Sequence, residues 1–168
     1  MPKSLPTVAL FLLLPTLLSA ADAPPNRAKA IWSPEALAAL SAPEKIEVFR
    51  IAERQLKVGD RPQKIGPYFV IAQAKDPGKE VAQRIAAMLL DDHSYEWELK
   101  KGCEPMPGIA FRIHGAGKTA EVVLCYECKM LSPIPDGHWH NFDPAQTALI
   151  KFAKELFPDD KEIAGLKE

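Results

Sequence analysis

The sequence has almost no net charge and few cysteines, and each shortage excludes a class of protein. Its 21 Lys and Arg residues are balanced by 22 Asp and Glu residues, which gives a formal net charge of −1. No global basic field would therefore attract nucleic acid. Three cysteines in 168 residues are too few for a disulfide-dense scaffold. Because 47% of the residues are hydrophobic, a disordered chain is also excluded.

Signatures of common enzyme classes are absent as well. The sequence contains no Gly-x-Ser-x-Gly elbow, no His-Glu-x-x-His motif and no glycine-rich dinucleotide fingerprint. Residues 115–119 (GAGKT) look like the end of a phosphate-binding loop, but Arg112 stands where that loop needs a glycine. A strand-like run follows instead of a helix, so we interpret these residues as a hairpin turn. The sequence identifies no catalytic residue and favours a non-catalytic protein.

The N-terminus has the three parts of a secretory signal. Lys3 supplies the positive charge, residues 8–18 supply an apolar core, and small residues around Ala21 supply a cleavage site. The apolar core is shorter than the roughly 20 residues that a membrane-spanning helix needs, although a retained anchor is the alternative. We expect residues 1–21 to be removed, residues 22–30 to form a flexible lead-in, and residues 31–168 to form one periplasmic or extracellular domain with no membrane span.

Three helices are predicted by a capping residue followed by proline. They begin at Ser33-Pro34, Asp76-Pro77 and Asp143-Pro144, and end near residues 40, 91 and 156. In the last helix, Gln146 stands where a capping box needs it. Apolar stripes at helical spacing on the second and third helices indicate that each packs on another layer.

Strands are predicted where β-branched and aromatic residues cluster or alternate with polar ones. These stretches are residues 45–52, 67–74, 95–99, 109–113, 120–124, 129–134 and 138–142. Hairpins between helices, rather than alternating strands and helices, favour an antiparallel sheet. We therefore expect an α+β fold with a sheet of about five strands and two or three helices packed on one face.

The three cysteines permit several kinds of site. One structural disulfide is favoured because exported proteins fold in oxidising compartments. If residues 120–128 form one strand, Cys125 and Cys128 point to opposite faces, so Cys103 pairs with one and the other stays free. If the chain turns after Cys125, the sulfurs converge, and His138 or His140 could complete a Cys₃His zinc site. Three free thiols, or a redox-active pair, are further alternatives.

Four short motifs resemble a known group of proteins. They are residues 107–112 (PGIAFR), 123–128 (VLCYEC), 141–144 (NFDP) and 156–160 (LFPDD). This pattern resembles small exported bacterial proteins of unknown function, which carry no assigned activity. The resemblance implies that the three cysteines belong to a shared pattern, and it favours a structural or metal-binding role for them.

Two further histidines, His93 and His114, lie outside the cysteine cluster. Asp91-Asp92-His93 has the residue types of a metal or acid–base site, but at the end of a predicted helix it is more typical of a solvated chain reversal. His114 adjoins the predicted hairpin turn, where we expect it to be exposed.

Taken together, these patterns predict an exported structural or partner-binding domain that contains a disulfide. Its partner is a protein or a small molecule. The alternative is a zinc-binding or thiol-based site at the cysteine cluster.

Overall fold

A computed structural model describes residues 25–53 and 63–167, and the predicted signal peptide lies outside this range. The described residues form five α-helices and seven strands. The helices are α1 (Arg27–Ala30), α2 (Pro34–Ser41), α3 (Lys79–Leu89), α4 (Gln146–Leu156) and α5 (Lys161–Ala164). The strands are β1 (Pro43–Ala52), β2 (Lys64–Ile65), β3 (Tyr68–Gln73), β4 (Ile109–Gly115), β5 (Lys118–Cys125), β6 (Met130–Ile134) and β7 (His140–Asn141).

The seven strands form one sheet in the order β2-β3-β1-β4-β5-β6-β7. Every pair of neighbouring strands is antiparallel. The α+β class and the antiparallel sheet are therefore confirmed, while the expected number of about five strands was approximate. The short edge strand β2 was not predicted, whereas β7 lies within the predicted stretch 138–142.

The β4–β5 connection is a tight hairpin turn. Ala116 and Gly117 both have positive φ, at 50° and 67°, as a two-residue turn of this hand requires. The GAGKT sequence is thus a turn between two strands, as predicted. Gly115 precedes the turn and lies under α2, where an added Cβ would be 2.5 Å from the Ala39 carbonyl oxygen and closer still to that of Ala42.

Alternate residues of the central strands enter two different buried clusters, because side chains alternate across a strand. In β4, Ile109 and Phe111 join the larger cluster while Ala110 joins the smaller one. The larger cluster includes apolar side chains from α2, α3 and α4. For example, the rings of Phe111 and Phe152 meet edge to face with centroids 6.0 Å apart. The smaller cluster comprises Phe49, Ile51, Ile65, Ala110 and Val123.

The predicted starts of two helices were wrong. The Asp76 carboxylate accepts a hydrogen bond from the Gly78 N–H at 2.9 Å, and Gly78 has a φ of 91°, so α3 begins only at Lys79. Before α4, residues Asp143–Ala145 form a 3₁₀ turn. The Gln146 side chain donates to the Tyr126 carbonyl oxygen at 3.4 Å and does not form the predicted capping box.

The predicted strand over residues 95–99 is also absent from the structure. Tyr95 and Trp97 instead stack on each other, with ring centroids 4.7 Å apart. The Tyr95 hydroxyl donates to the Leu89 carbonyl oxygen at 2.7 Å, which fixes this ring against the end of α3. The alternation in the sequence therefore reflects aromatic packing in an irregular segment.

Candidate functional site

A disulfide bond joins Cys103 to Cys128, whose Cα atoms are 5.8 Å apart. It links the irregular segment formed by residues 95–108, which we call the strap, to the connection between β5 and β6. The third cysteine, Cys125, is a free thiol and is 1% exposed. The predicted disulfide is therefore confirmed, and the structure adds which two of the three cysteines it joins.

The chain turns immediately after Cys125. Strand β5 ends at that residue and β6 begins at Met130, so four residues make the connection, which we call the cysteine turn (residues 126–129). Lys129 closes it with a φ of 54° and an N–H that donates to the Tyr126 carbonyl oxygen at 3.2 Å. The alternative of one continuous strand over residues 120–128 is therefore wrong. The other alternative, a turn after Cys125, is present, but one of the two sulfurs is bonded to Cys103.

The free sulfur of Cys125 lies against the backbone of Cys128. The Cys128 N–H donates to Cys125 Sγ at 3.4 Å, and Cys128 itself is only 4% exposed. On the other side, Cys128 Sγ lies 3.6 Å from the Glu104 carbonyl oxygen of the strap. The three sulfur-bearing residues thus meet at one short turn.

Lys101 provides a second link between the strap and the cysteine turn. Its ammonium group donates to the carbonyl oxygens of Cys128 at 2.8 Å and Lys129 at 3.3 Å, and to the Asp143 carboxylate at 2.6 Å. The sequence carried no signal for this role, because these partners lie 27 to 42 residues further along the chain. The Lys101–Asp143 pair also explains why Asp143 does not cap α4.

Both ends of the strap are fixed to the sheet. At its start, the Glu96 N–H donates to the Asn141 carbonyl oxygen at 3.0 Å, and the Asn141 side-chain amide donates back to the Glu96 and Leu99 carbonyl oxygens. At its end, the Gly108 N–H donates to the Leu124 carbonyl oxygen at 3.0 Å. Between these two ends, the disulfide at Cys103 attaches the strap to the cysteine turn.

Arg50 binds the C-terminal end of the strap. Its guanidinium donates to the Gly108 carbonyl oxygen, to Asp160 at 2.6 Å and to Glu162 at 2.6 Å, and its side chain is 6% exposed. Although burial alone would raise the pKa of the Asp160 carboxyl, the hydrogen bonds from Arg50 and from the start of α5 hold it below its usual value. This buried cation therefore ties β1, the strap and α5 together.

The two histidines proposed as zinc ligands occupy different environments. His138 is exposed, with Nε2 4.0 Å from the Asp136 carboxylate. His140 is half-buried, with its ring edge against Trp97, and burial lowers its pKa. Within residues 25–53 and 63–167, no group of three His, Cys, Asp or Glu side chains is arranged to hold a metal ion. Two of the three candidate sulfur ligands are bonded to each other.

The Asp91-Asp92-His93 stretch holds the start of the described chain. The Asp92 carboxylate accepts the backbone N–H groups of Ala28 at 2.6 Å and Arg27 at 3.2 Å. These bonds anchor helix α1, which lies within the stretch expected to be a lead-in. Asp91 accepts from the His93 N–H at 3.0 Å, and the backbone and ring of His93 lower the pKa of the Asp91 carboxyl.

His114 is less exposed than expected because it belongs to a cross-strand network. Its Nε2 lies 2.9 Å from the Glu47 carboxylate, and its Nδ1 lies 3.3 Å from the Thr119 hydroxyl. The hydrogen bond with His114 is the main reason that the pKa of Glu47 is lowered. In the next row, Arg112 donates to Glu121 at 2.7 Å. These pairs connect β1, β4 and β5 on one face of the sheet.

No protein-family model matches the chain, and neither a curated protein nor a solved structure was found to match it. Across the described ranges, no helix has the length and apolar character needed to cross a membrane.

Proposed function

We propose that this protein is an exported, non-catalytic α+β domain that binds a partner through its disulfide-held strap. The observation that carries the proposal is the Cys103–Cys128 bond. Disulfides persist in oxidising compartments and are rare in the cytosol, so the bond agrees with the secretory pattern at the N-terminus. A covalent link from an irregular segment to the sheet keeps that segment in one conformation.

The strap has the properties of a contact surface. A segment of this length without regular secondary structure is uncommon in a compact domain and usually has a function. Leu99 and Met106 in the strap are 44% and 62% exposed, and in the described part of the chain Ile71 is the only other exposed large apolar side chain. Holding apolar side chains in place before binding reduces the entropy lost on association.

The proposal is tested by replacing Leu99 and Met106 together with serine. Because both side chains are exposed, the change should leave the melting temperature unchanged. The protein is produced with its own leader and chemically cross-linked in the exported fraction. We expect a discrete cross-linked adduct with the natural sequence and with the control Ile71→Ser, and its loss in the double variant. An adduct that is equally abundant in all three proteins, or absent from all, would exclude the strap as the binding surface.

A thiol-based or zinc site at Cys103, Cys125 and Cys128, with His138 or His140, is the second candidate. The observation in its favour is the Cys125 thiol held against the Cys128 backbone at 3.4 Å. If zinc is the natural occupant, the fully reduced protein should bind one zinc ion per chain and release protons as it does so. A reduced, folded protein that takes up no zinc would remove the metal form of this candidate.

A further inference from the structure

We infer that Cys125 exchanges with the disulfide next to it, forming a Cys125–Cys128 bond and releasing Cys103 as a free thiol on the strap. This inference rests on the thiol form of the second candidate function. It assigns an activity, intramolecular thiol–disulfide exchange, to the one cysteine that the fold leaves unbonded.

The position of the free sulfur supports an attack on Cys128. Cys125 and Cys128 are separated by two residues at the cysteine turn, and Cys125 Sγ already contacts the Cys128 N–H at 3.4 Å. The Cys-x-x-Cys spacing is the one that thiol–disulfide oxidoreductases use to close a bond between near neighbours. The spacing of the two cysteines at one turn therefore permits a bond between their sulfurs.

The sulfur that is attacked and the sulfur that leaves belong to residues of different exposure. Cys125 and Cys128 are 1% and 4% exposed, so external thiols have little access to either. Cys103, in contrast, is an exposed residue. Exchange depends on access to the sulfur that is attacked. Cys125 and Cys128 are therefore shielded from external thiols, whereas Cys103, the cysteine that is released, lies at the surface.

The exchange is balanced without an added oxidant. The Cys125 thiol gives up one proton, matched by the proton that Cys103 takes up, and the Cys125 thiolate attacks Cys128 Sγ. The Cys125–Cys128 bond forms as the Cys103–Cys128 bond breaks, and the electron pair passes to Cys103 Sγ, which takes up a proton. The chain contains one disulfide and one thiol before and after the step. Only the identity of the free cysteine changes.

The strap stays near the turn after the exchange, because Lys101 and Gly108 hold it independently of the disulfide. Residues 102–107 then carry the Cys103 thiol between these two points. The released thiolate can attack an exposed disulfide on another molecule, such as a low-molecular-weight disulfide, and form a mixed disulfide as one thiolate leaves. The class of reactant is therefore an external disulfide.

Trypsin distinguishes the two bonding states. Cleavage after Lys101, Arg112, Lys118 and Lys129 places Cys103 in peptide 102–112 and both other cysteines in peptide 119–129. The disulfide seen here joins those two peptides, whereas a Cys125–Cys128 bond lies within one of them. Folded protein is incubated with N-ethylmaleimide at about pH 8, where an ordinary thiol is partly ionised, and is then digested without reduction.

We expect label on Cys103, loss of the cross-linked peptide pair, and peptide 119–129 lighter by two hydrogens. The Cys125→Ser variant is the control, because Cys103 should stay unlabelled when the attacking sulfur is missing. Label on Cys125 with the peptide pair intact, or no label on any cysteine, would overturn the inference. Label on Cys103 in the control would show that the bond opens without Cys125 and would also overturn it.

A second variant tests the geometry directly. In Cys103→Ser, produced with its own leader and recovered from the exported fraction, we expect a Cys125–Cys128 bond and a mass short by two hydrogens. Two free thiols in this folded variant would show that the sulfurs do not reach each other. Zinc uptake by the fully reduced natural protein does not depend on exchange, so failure of the exchange and failure of the metal site are distinguishable.

Discussion

Reduction of the Cys103–Cys128 bond is expected to lower the free energy of unfolding by about 3.5 kcal/mol. The two cysteines are 25 residues apart in sequence, and the loop-entropy relation for a closed loop of that size gives about 12 cal/mol/K, or roughly 3.5 kcal/mol at 25 °C. The loss arises in the unfolded chain, which gains freedom when the cross-link is removed. For a domain of this size the melting temperature should fall by about 10 °C.

Urea unfolding of the same protein with and without a reductant measures this loss. Because no side chain is replaced, packing in the folded state is unchanged. The slope of the free energy against urea should increase on reduction, since the unfolded chain without a cross-link is less compact and exposes more surface. A cavity or a lost hydrogen bond would lower stability without changing that slope.

The matched control is Cys128→Ala. Because the Cys103–Cys128 bond is already absent from this variant, the reductant should leave its free energy of unfolding unchanged. Cys125→Ala, which leaves the bond in place, should still respond to the reductant by the full amount. A reduction effect below about 1 kcal/mol with an unchanged slope would refute the reasoning, because the expected range for a lost disulfide is about 2–5 kcal/mol.

Three further predictions concern other parts of the fold. Gly115→Ala should lower the free energy of unfolding by about 3 kcal/mol in urea unfolding, because overpacking forces α2 away from the sheet. Arg50→Met should lower the free energy of unfolding by about 2–3 kcal/mol, since it removes charged hydrogen bonds. Because the pKa of Asp160 is depressed, the free energy of unfolding of the natural protein should fall as the pH drops below about 4. This fall should be smaller in the Arg50→Met variant. His114→Ala should raise the pKa of Glu47 towards its ordinary value, measured by NMR titration of the carboxyl carbon.

Each of these changes has a matched control. Gly102→Ala adds a Cβ that meets nothing within 4 Å, so equal losses at the two glycines would exclude the steric explanation. Arg27→Met removes an exposed ion pair with Glu98 and the contact of the guanidinium with the Trp97 ring, and it should lower the free energy of unfolding by less than Arg50→Met does. An equal loss at the two arginines would contradict the importance of burial at Arg50. An unchanged Glu47 titration in the histidine variant would show that its lowered pKa has another cause.

Local signals predicted several elements correctly. Ser33 followed by proline predicted α2, and the Ser33 hydroxyl accepts the Ala36 N–H at 3.2 Å. The glycine-containing turn after His114 predicted the β4–β5 hairpin. In both cases residues within a few positions of each other determine the conformation, so one sequence contains the whole signal.

Other features depended on distant partners and were missed. The alternation of Tyr95 and Trp97 is the same for a strand and for two stacked rings, and only the end of α3 decides between them. Asp143 has the appearance of a helix cap, but Lys101 binds its carboxylate. The partner of Cys103 was equally undetermined, because pairing depends on distances between separate parts of the chain. The buried role of Arg50 required α5 to be placed next to β1.

The central claim is that this is an exported domain whose strap is fixed by the Cys103–Cys128 bond. Native mass spectrometry of the protein expressed with its own leader and recovered from the exported fraction tests it most directly. We predict a chain that begins at Asp22, is short by two hydrogens and carries no metal. A full complement of hydrogens together with a zinc-sized increment, or a chain that retains residues 1–21, would contradict the account.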